Sequence, residues 1–428
     1  MTPPPPSAHP ANGTSPLLTV TPDNDYRWHS LSDNTLAGVT PAALAAILAA
    51  HWADVELLHP GVAARLLFLA AISVLNGVFA AVDWLFHRRA VAATPLCPSP
   101  IFVIGLPRSG TTVLHNLLAA DPRLVTPDTF QVGFPSCFLS LRGLETVLLR
   151  GVLSPTRSMD NIALDWTSPC EDEIASCVLS HGASPYMALA FLRRFRTFLP
   201  YQTFDGAAGA AAFPRWRDAF THFCRKVLYD AARRAPAGTP PRLLLLKSPV
   251  HTARMALLLR LFPGARFVFV HRHPHTVFQS SIALVTRQFP HVGLAGWSAA
   301  DAAAYILDLN AATMAAYLAD RPAVAAVPGR LVEVAFDDLV TDPVGALAAV
   351  YRGLGLEGLD ALRGVHARAA ADVAAYQAGG KMNVHSPLSA AAVAAVNTSW
   401  RDQFEVFGYM EEPPAPKEAG GGWRVVPR

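Results

Sequence analysis

Ile101-Phe102-Val103-Ile104-Gly105-Leu106-Pro107-Arg108-Ser109-Gly110-Thr111-Thr112 decides how the chain is read. The β-branched and aromatic run at 101–104 predicts a buried parallel strand, and Val113, Leu114, Leu117 and Leu118 continue at helical spacing beyond the glycine loop. Strand, loop and helix in that order bring several backbone N–H groups to the positive end of a helix, where they bind phosphate or sulfate. Gly105 and Gly110 open backbone conformations that such a turn requires and that side chains disfavour. The spacing follows the phosphate-loop template G-x-x-x-x-G-K-[ST], except that Thr111 stands in the lysine position and Arg108 is the loop's cation. The plainer alternative is a glycine turn that only joins a strand to a helix.

The rest of the composition bounds the answer. A chain of 428 residues, 52% of them hydrophobic, buries a large core in one or two domains. Its 35 basic and 32 acidic residues leave a net charge of +3, which gives no general attraction to nucleic acid and makes any anion site local. Cys97, Cys137, Cys170, Cys177 and Cys224 are odd in number and lack C-x-x-C spacing, so neither a disulfide framework nor zinc is expected, and a reducing compartment is.

Residues 1–40 read as a disordered or extended tail, 41–98 as a helical segment, 99–412 as the main α/β domain and 413–428 as a second tail. The apolar stretch at 61–86 is the membrane candidate. Arg65 and Asp83 stand near its two ends and Asn76 near its middle, at the lower limit for crossing a bilayer, so a buried or membrane-surface helix is expected rather than a span. Further strands are read at 124–126, 243–246, 267–270 and 331–335, and helices at 41–52, 111–120 and 252–262, with a largely helical insertion at 135–235. Alternation of strands and helices predicts a parallel sheet covered on both faces, with the loop at its carboxyl edge.

A second informative stretch follows the 267–270 strand: His271-Arg272-His273-Pro274-His275-Thr276-Val277-Phe278-Gln279-Ser280. Arg272 at the strand end and Ser280 on the helix that Pro274 opens are placed to face one anion, although an arginine there also serves as an ordinary salt-bridge partner. The three alternating histidines are broken by Pro274 and lack an interleaved carboxylate, so no metal site is expected. Arg193, Arg194 and Arg196 among Phe191, Phe195 and Phe198 read as a solvated face with an apolar back.

Together the two stretches resemble the sulfotransferase superfamily that uses 3′-phosphoadenosine 5′-phosphosulfate. Leu106-Pro107-Arg108-Ser109-Gly110-Thr111-Thr112 matches its 5′-phosphosulfate loop, and Arg272 with Ser280 matches its 3′-phosphate site. Leu246-Lys247-Ser248-Pro249 and Phe336-Asp337-Asp338-Leu339 are similar to stretches of the bacterial and algal-type branch, which contains lipid and small-alcohol sulfotransferases. The resemblance implies a phosphate-loop-type three-layer fold, a metal-independent in-line sulfuryl transfer and a small-molecule or lipid hydroxyl acceptor. It also implies that Lys247 sits beside the 5′-phosphate or bridging oxygen, and that Lys381, in Gly379-Gly380-Lys381, contacts a phosphate.

The general base is not given by the match. Cytosolic relatives follow the lysine with Thr-His, whereas here Ser248-Pro249 follows Lys247. Pro169-Cys170-Glu171-Asp172-Glu173 is similar to an acidic feature of the branch and offers Glu171 or Glu173; His251 is a further candidate. Ser168 and Glu171 are equally spaced as a helix capping box with Pro169 at the first helical position. Some relatives carry a glutamate where this chain has Gln131. A phosphate-loop kinase or nucleotide hydrolase is the rival, but it wants a lysine at Thr111 and a strand-end aspartate for magnesium, where this chain has His271-Arg272. A non-catalytic, membrane-associated helical scaffold is the second rival. The expected location is the cytoplasm, with membrane association through 61–86.

Overall fold

Strands β1 (Ile101–Gly105), β2 (Leu124–Val125), β3 (Leu243–Lys247), β4 (Arg266–His271) and β5 (Leu331–Ala335) form a parallel five-stranded sheet in the order β2-β3-β1-β4-β5. The computed structural model describes residues 33–156, 164–239, 242–356 and 387–413, together with Leu17, Ala367 and Ala371. Side-chain alternation along each strand splits the interior in two. Phe102, Ile104, Leu244, Leu246, Phe267 and Phe269 join the larger core with Trp216 and Phe220, while Ile101, Val103, Leu245, Val268 and Val270 meet Leu114, Leu117, Leu118 and Leu347 on the other face. Burial on both faces is why the strands read as continuous apolar runs, and each large side chain so buried contributes about 1.5–3 kcal/mol.

The principal helices are α1 (Pro41–His51), α2 (Pro60–Ala93), α3 (Thr111–Ala119), α4 (Asp172–Leu179), α5 (Gly206–Arg234), α6 (Pro274–Val292) and α7 (Ala299–Ala325). Their starts follow local chemistry. Pro41 and Pro274 occupy the first turns of α1 and α6, and Ser298 with Asp301 closes a reciprocal capping box on α7. The helix expected at 252–262 begins instead as a tighter turn, Pro249–Arg254, and becomes α-helical only over Met255–Leu261. The Ser248 hydroxyl accepts from the Val250 N–H at 3.3 Å and fixes that turn directly after Lys247.

α2 runs well past the expected 61–86, to Ala93, and its buried face mixes polar side chains with the apolar Val62, Leu69 and Ile72. Arg65, Ser73, Asn76 and Asp83 are buried against the protein. Arg65 donates to the Pro290 carbonyl at 2.7 Å and also to that of Gly293; Asn76 donates to the Ala37 and Val39 carbonyls at 2.7 and 2.9 Å. Asp83 pairs with Lys226 of α5 at 2.7 Å and accepts from the Ser140 N–H at 2.7 Å. The charges that bracket the apolar stretch therefore hold α2 to the globule. Among the described residues, α2 and α7 are long and apolar enough to cross a membrane, and half of the apolar window of α7 is buried inside the protein.

Candidate active site

β1 sits between β3 and β4, so the connections leaving it and its two neighbours converge at the carboxyl edge of the sheet. The loop there depends on two glycines. Gly105 has φ +148°, and a Cβ on it would lie 2.5 Å from the Val270 carbonyl oxygen. Gly110 has φ +104° and would place a Cβ 2.1 Å from the Phe336 ring. Arg108 itself lies in the left-handed region at φ +71°. Ser109 Oγ is buried without a hydrogen-bond partner, on the Gly105 side of the loop and outside the cavity lining.

The second stretch closes on the first. Arg108 Nε donates to Ser280 Oγ at 2.9 Å across 172 positions of sequence, and the Arg272 guanidinium lies 4.2 Å above the Phe336 ring. Pro107, Arg108, Gly110, Thr111, Thr112, Lys247, Arg272, Ser280 and Phe336 line a cavity of about 400 Å³. Val132, Phe134, Trp166, Leu189, Leu284 and Ile306 are among the many apolar side chains that also line it. Lys381 falls outside the described residues.

Lys247 ends β3 with its side chain buried, and its Nζ lies 2.5 Å from Glu171 Oε1. Tyr186 donates its hydroxyl to Glu171 Oε2 and lies 3.3 Å from Ser248 Oγ. Burial first, and then the Glu171 charge, push the Tyr186 phenol well above its ordinary value, so it remains a donor. Glu171 occupies the cap position of α4, but its side chain makes no capping bond, and Ser168 Oγ bonds within its own turn to Asp165. The capping-box reading of Ser168 and Glu171 is thus replaced by a Lys247–Glu171–Tyr186 cluster on the cavity wall.

The other two candidate bases face elsewhere. Glu173 is fully buried, 2.9 Å from Arg254 Nη1, with Trp216 Nε1 at 3.2 Å and Ser184 Oγ at 2.7 Å. His251 is also fully buried, its Nε2 2.6 Å from Asp172 Oδ2, whose partner oxygen accepts from the Lys247 N–H at 3.1 Å. Neither lines the cavity. Both belong to the scaffold that holds α4 against the end of β3.

His271 and His275 find separate partners, Tyr409 Oη at 2.8 Å and Asn397 Oδ1 at 2.7 Å, rather than one another. No group of three or more metal-binding side chains occurs among the described residues. Arg193, Arg194 and Arg196 are exposed and paired with Glu56, Asp54 and Asp308, with Phe191, Phe195 and Phe198 buried behind them. Tyr186 lines the cavity although the sequence did not single it out, and Phe336, read there only as part of a resembling stretch, lies against Gly110; both arrive from parts of the chain remote from the loop.

The comparisons with known proteins agree with this geometry. The model of the family described as "Sulfotransferase family" matches residues 100–361, more than half of the chain. The chain belongs to the sulfotransferase family. It is 28% identical over 354 residues to the omega-hydroxy-beta-dihydromenaquinone-9 sulfotransferase Stf3 of Mycobacterium tuberculosis, covering 81% of this chain and 84% of that protein; the Mycobacterium bovis protein of the same name matches equally. The fold is shared with the crystal structures of sulfotransferase STF1 from Mycobacterium tuberculosis (TM-score 0.56, 19% identity, 84% of this chain and 91% of that one) and STF9 from Mycobacterium avium (TM-score 0.56, 17% identity, 86% and 97%). This chain is therefore a sulfotransferase, and the kinase and scaffold readings fall away.

One neighbour of the cluster gives the fold a pH signature. His115 of α3 is buried, with Nε2 2.7 Å from Thr126 Oγ1. Burial, reinforced by the Lys247 cation and opposed by Glu171, lowers its imidazole from 6.5 to about 3. Between those values the unfolded chain binds a proton that the folded chain refuses, so stability is full above pH 6.5 and is lost as pH falls. His273, lowered from 6.5 to about 4 by burial and then by His275, adds in the same direction. The urea midpoint is expected to drop steadily as pH is taken from 6.5 toward 4, and His115→Gln should flatten that slope. An unchanged slope in the variant would show that His115 is not the group responsible.

Proposed function

We propose that this sulfotransferase moves the sulfuryl group of 3′-phosphoadenosine 5′-phosphosulfate to the hydroxyl of an apolar, lipid-like acceptor. The observation that carries the reading is the Arg108–Ser280 bond, which draws two anion-binding stretches onto one cavity wall. The tight turn made by positive φ at Gly105, Arg108 and Gly110, directly ahead of α3, supports a bound phosphosulfate. Arg108, Ser109, Gly110, Thr111, Thr112 and Lys247 would hold the 5′ end, with Pro107 shaping the loop, and Arg272 and Ser280 the 3′-phosphate. When bound, the donor supplies the sulfuryl group and leaves as adenosine 3′,5′-bisphosphate.

Lys247 is the cation placed to share charge between Glu171 and that leaving group, and Glu171 is the base that takes the acceptor's proton. Tyr186 and Lys247 hold one carboxylate oxygen each, which fixes the orientation of Glu171 at the cavity wall. The many apolar side chains in the cavity wall support an apolar acceptor. The relative named for a menaquinone-derived substrate supports a lipid one.

The same reading places the enzyme in the cytoplasm, where the donor is made, at a membrane surface. The outward face of α2 carries Leu67, Val74, Val78, Leu85 and Phe86, each more than half exposed, with Arg88 lying 3.7 Å over the Trp84 ring at its end. An apolar stripe bordered by an aromatic residue and a cation suits a helix lying in the lipid interface.

Calorimetry in EDTA is expected to show binding of adenosine 3′,5′-bisphosphate. Arg272→Ala should weaken it by about 2–4 kcal/mol, the cost of removing one partner of a buried charged pair, while 5′-AMP binding hardly changes. Equal losses for both nucleotides would remove Arg272 from the 3′ site. With a long-chain alcohol as acceptor, Glu171→Gln should cut turnover about 10²–10⁴-fold at unchanged bisphosphate affinity and melting temperature; normal turnover would exclude Glu171 as the base. Flotation with phospholipid vesicles should carry the protein upward, and carbonate washing should release it. Retention after carbonate would instead indicate a spanning helix.

A further inference from the structure

β1 loses one of its two neighbours just where the loop begins. β3 pairs with β1 only as far as Lys247 opposite Val103, whereas β4 continues beside β1 to Val270 opposite Gly105. Past Lys247 the chain leaves the sheet through Ser248 and Pro249, and a proline has no N–H to extend a ladder. Gly105 nonetheless keeps a partner there. Thr252 Oγ1 accepts from the Gly105 N–H at 2.8 Å and donates to the Gly105 carbonyl at 3.0 Å, so one fully buried hydroxyl takes the place of the missing strand residue. Thr252 is itself held in a short turn whose other side chains are tied down: His251 to Asp172 at 2.6 Å and Arg254 to Glu173 at 2.9 Å.

Gly105 is where the loop leaves the sheet, at φ +148°, and a hydroxyl bonded to both its backbone groups fixes the peptide planes on either side of it. We propose that Thr252 is a positioning residue for the 5′ end of the sulfuryl donor. It lies outside the cavity lining and acts through Gly105, by holding the loop in the conformation that binds the anion. This rests on the reading of the loop after β1 as the 5′-phosphosulfate site. Without the hydroxyl, two buried backbone groups lose their partner, and loop conformations that satisfy them elsewhere gain in population. Nucleotide affinity then falls in proportion to the fraction of molecules that keep the binding conformation. The loss is greatest for a 5′-phosphate, because Arg272 and Ser280 stand after β4 and on α6 rather than in the loop.

The test is calorimetry on the full chain, well below its melting temperature, with adenosine 3′,5′-bisphosphate, 5′-AMP and 3′-AMP as probes. Thr252→Val keeps the shape of the side chain and removes the hydroxyl. It is expected to weaken the bisphosphate and 5′-AMP by the same factor, about tenfold where the binding conformation falls to about a tenth of the molecules, and 3′-AMP clearly less. Thr252→Ser, which retains the hydroxyl, should bind both 5′ probes as the wild type does. Thr252→Cys puts a weak thiol donor in the same place and should show the Thr252→Val pattern to a smaller degree; it decides the matter where Thr252→Val does not fold. Wild-type 5′-AMP affinity in folded Thr252→Val, or in Thr252→Cys where that variant decides, would overturn the proposal and leave the donor reading standing. Equal losses for all three probes, or a loss that persists in Thr252→Ser, would overturn it in favour of a general loosening of the core. Failure of the wild-type chain to bind the bisphosphate would remove the donor reading, and the proposal with it.

Discussion

The ring of Phe336 against Gly110 is the contact on which the site is assembled. The ring fills the volume that any side chain at Gly110 would need, and the Arg272 guanidinium lies over it, so one aromatic side chain touches both the loop after β1 and the arginine after β4. A guanidinium over an aromatic face gains about 0.5–2 kcal/mol, enough to select one arginine rotamer before any anion arrives. Arg108, turned by its left-handed backbone, then reaches Ser280. Positioning of this kind is what in-line transfer demands of a protein, because the chemistry needs alignment and charge stabilisation more than covalent participation.

The opening of α4 shows how three adjacent carboxylates are given three tasks by geometry alone. Successive helical residues turn by about 100°, so Glu171 and Glu173 point to nearly opposite sides. Glu173 enters the core, where only full pairing with Arg254 and two further donors makes its burial tolerable. Asp172 bonds the Lys247 backbone and His251, and so locks the helix start to the end of β3. Glu171 alone faces the cavity. The scaffold pairs on either side are what hold it within reach of Lys247 Nζ without the mobility of a surface carboxylate.

The loop after β1, the parallel strands beside it and the helix that Pro274 opens were legible because each rests on local signals: a buried apolar run, a glycine pair, a proline in the first helical turn. Lys247 was legible for the same reason, ending a run of leucines. What was not legible depends on contacts between distant segments. Nothing near Tyr186 announces that it will meet Glu171, and Ser184-Pro185 there signals only a turn. Glu173 and His251 looked like bases because they lie close in sequence to better candidates, whereas side-chain direction separates them from the cavity. The capping pattern at Ser168 failed because a stronger partner, the Lys247 ammonium, competes for Glu171.

The same rule of direction explains α2. Its sequence offered a marginal membrane span because its charges were counted along the chain rather than around the helix. Around the helix, Arg65, Asn76 and Asp83 fall with Val62, Leu69 and Ile72 on the side packed against the protein, where carbonyls and Lys226 satisfy the polar groups, and Leu67, Val74, Val78, Leu85 and Phe86 fall outward. Asn76 holds the carbonyls of Ala37 and Val39, and the adjoining residues Asp33, Asn34, Thr35 and Ala37 line the cavity. Asn76 thus ties the buried face of α2 to the segment that forms part of the cavity wall, so the placing of that wall depends on how the helix packs.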